Sequence, residues 1–102
     1  MTDRAGVLAW LSSRKPAAPE GFALHLAGAA SGGAGSLADA LAATGVELLH
    51  RVVAAPAGGR ELALDLLAAD AYVTYAFEAQ AEDDVDGLTR LADRLTRGGD
   101  LG

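Results

Sequence analysis

The chain has 102 residues, the size of one small domain, and 51% of them are hydrophobic while only 5% are aromatic. With 24 Ala, 16 Leu and no Cys, it predicts a thin aliphatic core and excludes disulfides, thiolate catalysis and Cys-based zinc sites. The net charge of -6, with basic residues in excess only over 1–19 (Arg4, Arg14, Lys15), argues against nucleic acid and anionic lipid as partners.

Residues 2–14 read as a first helix. Thr2 or Asp3 can cap it, and Val7, Leu8 and Leu11 share one face. Arg14 and Lys15 suit its C-terminal end, Pro16 stops it, and Trp10 is expected to cover the edge of the core. Residues 19–28 are ambiguous. Phe22 and Leu26 lie one helical turn apart, yet Phe22, Leu24 and Leu26 also alternate as in a strand. No partner strand is visible in the sequence, so a short helix opened by Pro19-Glu20 is preferred.

The Gly-rich stretch 28–35 reads as a flexible loop. Ser36, with Asp39 three residues on, then opens a helix over 36–55 that Pro56 ends. Its apolar stripe is Leu37, Leu41, Leu48 and Val52, beside a strip of small residues, Ala38, Ala42 and Gly45. A glycine inside a helix costs about 1 kcal/mol relative to alanine. At Gly45, therefore, either the helix breaks or another backbone comes close. Glu47 and Arg51 are spaced for an i, i+4 pair.

The strongest element is the helix over 60–81. Leu62, Leu66, Ala69, Val73, Ala76 and Phe77 form the expected core stripe. The opposite side, with Leu64, Ala68, Ala71 and Tyr75, is also poor in charge. A helix apolar nearly all round is wrapped by neighbours or shared with a second copy. The last helix is expected over 83–97, with a core seam of Val85, Leu88, Ala92 and Leu95. Acids crowd its start, arginines its end, and Asp86–Arg90 and Asp93–Arg97 have i, i+4 spacing.

Few motifs carry chemistry. Gly33-Ala34-Gly35-Ser36-Leu37-Ala38 fits the dinucleotide fingerprint in letters, but no second strand follows to complete a βαβ unit. His25 and His50 stand apart and match no metal-binding spacing, and residues 82–86 lack calcium-loop spacing. Gly32-Gly33-Ala34-Gly35-Ser36-Leu37 resembles the attachment site of acyl and peptidyl carrier proteins, which are acidic four-helix domains. That resemblance spans about six residues and departs at Gly35, where carriers usually have Asp or His. It implies Ser36 as the residue that would carry phosphopantetheine.

Asp70 looks out of place, because it projects into the expected apolar stripe of the 60–81 helix. A buried carboxylate needs a partner. The alternatives are a structural bond, for instance to Arg51, or a binding site formed by Asp70 with Tyr72, Tyr75 and Leu64. The sequence thus predicts one all-α domain over 1–102, a compact bundle of four main helices plus a short one, with no cofactor and no metal. The expected function is a cytoplasmic, acidic, non-enzymatic module for protein–protein interaction, self-associating as a homodimer through the 60–81 helix. The alternative is a carrier-like or small-ligand-binding domain.

Overall fold

The computed structural model describes residues 1–15, 17–55 and 59–97. The chain is all-α. Helix α1 spans Arg4–Ser12, α2 Glu20–Ala29, α3 Leu37–Ala54, α4 Arg60–Asp83 and α5 Leu88–Arg97, with a 3-10 turn at Val85–Gly87 leading into α5. At 1.5 Å per residue, the 24-residue α4 is about 36 Å long, close to the 39 Å longest dimension of the molecule. It is the axis on which the others pack, and α3 is its main neighbour.

Helix α1 starts later than 2–14 implied. The Asp3 carboxylate caps it by accepting from the Gly6 amide at 2.8 Å. Thr2 instead pairs with Gly33 in a single antiparallel bridge, with N–H···O bonds of 3.0 and 2.7 Å. Gly32 is required at this crossing, because a Cβ there would sit 2.5 Å from the Thr2 carbonyl oxygen. The ambiguity at 19–28 resolves as helix. Leu26 is buried and Phe22 half-buried, while Leu24 between them is 70% exposed, so the one-turn spacing wins over alternation.

Helix α3 opens with a full capping box. Ser36 Oγ accepts from the Asp39 amide at 3.2 Å, and Asp39 Oδ2 accepts from the Ser36 amide at 3.1 Å. The helix runs unbroken through Gly45, which answers the question raised there. A Cβ on Gly45 would lie 3.0 Å from Val73 Cγ2 and 3.2 Å from the Ala69 carbonyl oxygen. The small-residue strip of α3 is where the two long helices meet.

Two expectations fail on α4 and α5. The buried positions of α4 are Asp65, Ala68, Ala69, Tyr72, Ala76, Ala79 and Gln80. Projected at 100° per residue, their centre is rotated by about 60° from the line through Leu62 and Val73. Leu66, assigned to the core, is half exposed. The reason is packing distance. At Gly45 α3 offers no side chain, so the Ala69 backbone, Tyr72 and Val73 of α4 come close to it, while Leu66 and Leu67 of α4 are turned outward. At the C-terminal end, the single helix expected over 83–97 is broken at Asp84. Gln80 Nε2 donates to the Asp84 carbonyl at 2.8 Å, and Asp84 Oδ1 accepts from the Asp86 amide at 3.1 Å. The break resets the helical phase. Leu91 becomes the fully buried anchor of α5, and Val85 is 61% exposed instead of lying in the seam.

Polar ties fix the remaining elements. Arg14 lies beyond the end of α1 and reaches α4, with Nη1 3.1 Å from Glu82 and 3.6 Å from Glu78. Its guanidinium stacks 3.8 Å above the Trp10 ring. Trp10 Nε1 also donates to Glu82 at 3.1 Å, and this bond, with Arg14, holds the Glu82 carboxyl below its ordinary range. Arg4 donates to the Ala27 and Ala30 carbonyls and so ties α1 to the end of α2. Glu47 and Arg51 pair at 3.9 Å as their spacing implied, whereas Arg90 turns to Asp84 at 3.4 Å and not to Asp86.

Candidate functional site

The four residues expected to form a site do not converge. Asp70 is exposed, which removes both the buried carboxylate and its structural partner Arg51. Tyr72 is fully buried, and its hydroxyl donates to the Leu26 carbonyl at 2.5 Å. Burial pushes that phenol up to about 12, although nearby Arg4 acts the other way. Tyr75 is half-buried and meets Trp10 edge to face at 5.7 Å. Leu64 is half-buried. Round α4, Tyr72, Tyr75 and Leu64 fall on one side and Asp70 roughly opposite. The same rotation that moved the core stripe carried Asp70 out to solvent.

The buried acid of α4 is Asp65. Its Oδ1 lies 2.8 Å from His25 Nε2, and this pair joins α2 to α4. An imidazole N–H donates to a carboxylate whether or not the ring is charged. His25 stands alone in the sequence, so no local spacing points to this pair. A signal existed, since Asp65 leads the Ala68, Ala69, Tyr72 series at helical spacing.

Three concave regions bear on function. Near the end of α5, a polar cleft of about 500 Å³ gathers Arg90 and Arg94 with Asp39, Asp83, Asp84 and Asp93. These charges neutralise one another, as in the 2.6 Å contact of Arg94 with Asp39. Partial burial works against ionising Asp39. The Ser36 amide and the Arg94 guanidinium outweigh it and hold the carboxyl below its ordinary value. Ser36, the residue of the carrier-like hexapeptide, borders this cleft and spends its Oγ on the helix cap. The Gly-rich stretch before it follows a helix and not a strand, so the dinucleotide fingerprint lacks its context. A second cavity, about 170 Å³, lies between α1, α2 and α4, with Leu8, Leu11, Leu26 and Tyr75 on its walls.

The third is an apolar groove of about 360 Å³ along the outer side of the α3–α4 pair. Helix α3 contributes Val46, Leu49 and His50, and α4 contributes Leu66, Asp70 and Val73, with Leu95 of α5 at one side. Leu49 is 44% and Leu66 50% exposed. Val53, one turn beyond Leu49 on α3, is 77% exposed. The groove takes in the Gly45 contact, with Gly45 and Ala69 among its lining residues. Small side chains bring the helices together at Gly45, and one turn further the leucines stand on opposite walls.

A ligand pocket combining Asp70 with a tyrosine is not formed. Asp70 borders the 360 Å³ groove and Tyr75 the 170 Å³ cavity. Among the described residues, no helix is long and apolar enough to cross a membrane. Comparison of the chain with protein-family models, curated proteins and solved structures gives no match.

Proposed function

We propose that this protein is a small, acidic, non-enzymatic interaction module that self-associates through the outer face of the α3–α4 pair. The observation that carries the reading is the pair of exposed leucines, Leu49 and Leu66, on the walls of one apolar groove, with exposed Val53 one turn beyond Leu49 on α3. Single exposed leucines are ordinary, but clustered ones beside a groove mark contact sites. Covering such side chains contributes roughly 1–2 kcal/mol each. The groove offers a partner little to react with. The His25–Asp65 pair does not border it, and its polar residues are one imidazole and one carboxylate. A cytoplasmic setting is part of the same proposal and fits a chain that draws on no disulfide.

With two apolar sides, the α4 helix is expected to be wrapped by its neighbours or shared with a second copy. The side facing α2 is now occupied within the chain, through Tyr72, Leu26 and His25–Asp65. Self-association therefore rests on the α3–α4 face alone. Light scattering at micromolar concentration tests it. A mass near twice 10.3 kDa is expected, and a mass of one chain would overturn the reading.

A further inference from the structure

Helix α5 is anchored more sparsely than the two long helices. Of its ten residues only Leu91 is buried, whereas α3 buries eight of eighteen, among them Leu41 and Leu48. Arg94 adds a tie to α3 through the Asp39 carboxylate at 2.6 Å. The chain that leads into α5 is built as a bend. It leaves α4 at Asp84, whose backbone is extended, and passes through the short turn Val85–Gly87. The bonds that shape this bend are local: Gln80 donates to the Asp84 carbonyl, and the Asp86 amide to the Asp84 carboxylate. Neither reaches α3, so both survive if α5 swings away. Val85, in the bend, is exposed and adds little packing.

The seat of α5 also adjoins the apolar groove. Leu95 lies at one side of the groove, and Leu91 precedes it by one helical turn on the same face of α5. We propose that α5 is a hinged strap, which opens as a unit about residues 84–87 while α1–α4 stay folded, and so extends the groove into the seat of Leu91. Leu91 and the Asp39–Arg94 pair hold it shut. Units held by few buried apolar groups open separately from the rest of a fold, and short segments between elements absorb the swing. The opening requires no second copy, so it stands apart from the self-association proposed above.

Native-state hydrogen exchange of the full chain over a low-urea series tests the strap. Amides 92–97, bonded within α5, are expected to show protection lower by about tenfold or more than the mid-helix amides of α3 and α4. Their urea dependence should be shallow and that of α3 and α4 steep, because lifting α5 exposes little surface. Arg94→Gln weakens the latch and is expected to lower α5 protection about fivefold. Tyr72→Phe removes the bond to the Leu26 carbonyl, on the side of α4 away from the groove, which an open α5 leaves intact. It is expected to lower protection in α3 and α4 severalfold and leave that of α5 unchanged. One steep urea dependence shared by all these amides, an α5 that responds to Tyr72→Phe as α4 does, or unchanged α5 protection in Arg94→Gln would overturn the proposal.

Discussion

The close contact and the outer face of the α3–α4 pair use side-chain size differently. At the closest approach α3 has Gly45, against Ala69, Tyr72 and Val73 of α4, while Leu41, Leu48 and Tyr72 are fully buried in the interior. Outside, Leu49, Val53, Leu66 and Leu67 stand at least 44% exposed. Burying one CH₂-sized group contributes about 0.8 kcal/mol, against roughly 2 kcal/mol for a leucine side chain. The protein thus brings its two longest helices together at a glycine, buries Leu41 and Leu48 of α3, and leaves Leu49, Val53, Leu66 and Leu67 outside. How closely the two backbones approach decides which apolar side chains the chain itself covers.

The seam is where that contrast breaks most readily. Gly45→Val would force a branched side chain against Val73 and the Ala69 carbonyl. Overpacking and the lost close approach are expected to cost about 2–3 kcal/mol, read as a lower midpoint in urea with an unchanged slope. A variant as stable as the parent would show that the helices can part freely.

Two carboxylates of α4, Asp65 and Asp70, report separately on its buried and exposed faces. Asp65→Ala removes the acceptor of the part-buried His25 and should cost about 1–2 kcal/mol in thermal or chemical melting. Asp70→Ala, at an exposed position, should stay within about 0.5 kcal/mol when measured below the dimerisation range. Equal effects at the two sites would contradict the rotation of the helix described above.

A modest, pH-dependent effect is expected at the start of α3. Asp39 has its carboxyl held below the ordinary value in the folded chain. A depressed folded value contributes stability above the unfolded value near 3.8, and that contribution disappears as pH falls through the folded value. Asp39→Asn should therefore lower stability modestly at neutral pH, by about 1 kcal/mol as for a lost cap. The gap to the parent should close in acid. A gap that stays constant down to pH 2 would show that the charge contributes nothing.

Much of the architecture was legible because it rests on local signals. Ser36 and Asp39 announce the cap of α3, Asp3 that of α1, and Gly45 the close helix contact. The all-α class follows from apolar residues one turn apart with no strand to pair. What was not legible depends on which of several apolar directions is filled. Around α4 nearly every face is apolar, so periodicity alone points to Leu62 and Val73, whereas the buried face is centred on Asp65 and Tyr72. The site failed for the same reason, because Asp70 moved outward with that rotation. His25–Asp65 joins residues 40 apart in sequence, and nothing local connects them. The break at Asp84 was hidden by acids that suit a helix start as well as a turn.

Self-association requires that a second copy cover the outer leucines. Sedimentation equilibrium of the parent chain and of Leu66→Asp, over a concentration series, tests this most directly. The parent should approach twice 10.3 kDa as concentration rises, and the variant should remain near 10.3 kDa with its helical content intact. A parent that stays at the mass of one chain throughout, or a Leu66→Asp variant that dimerises as well as the parent, would contradict it.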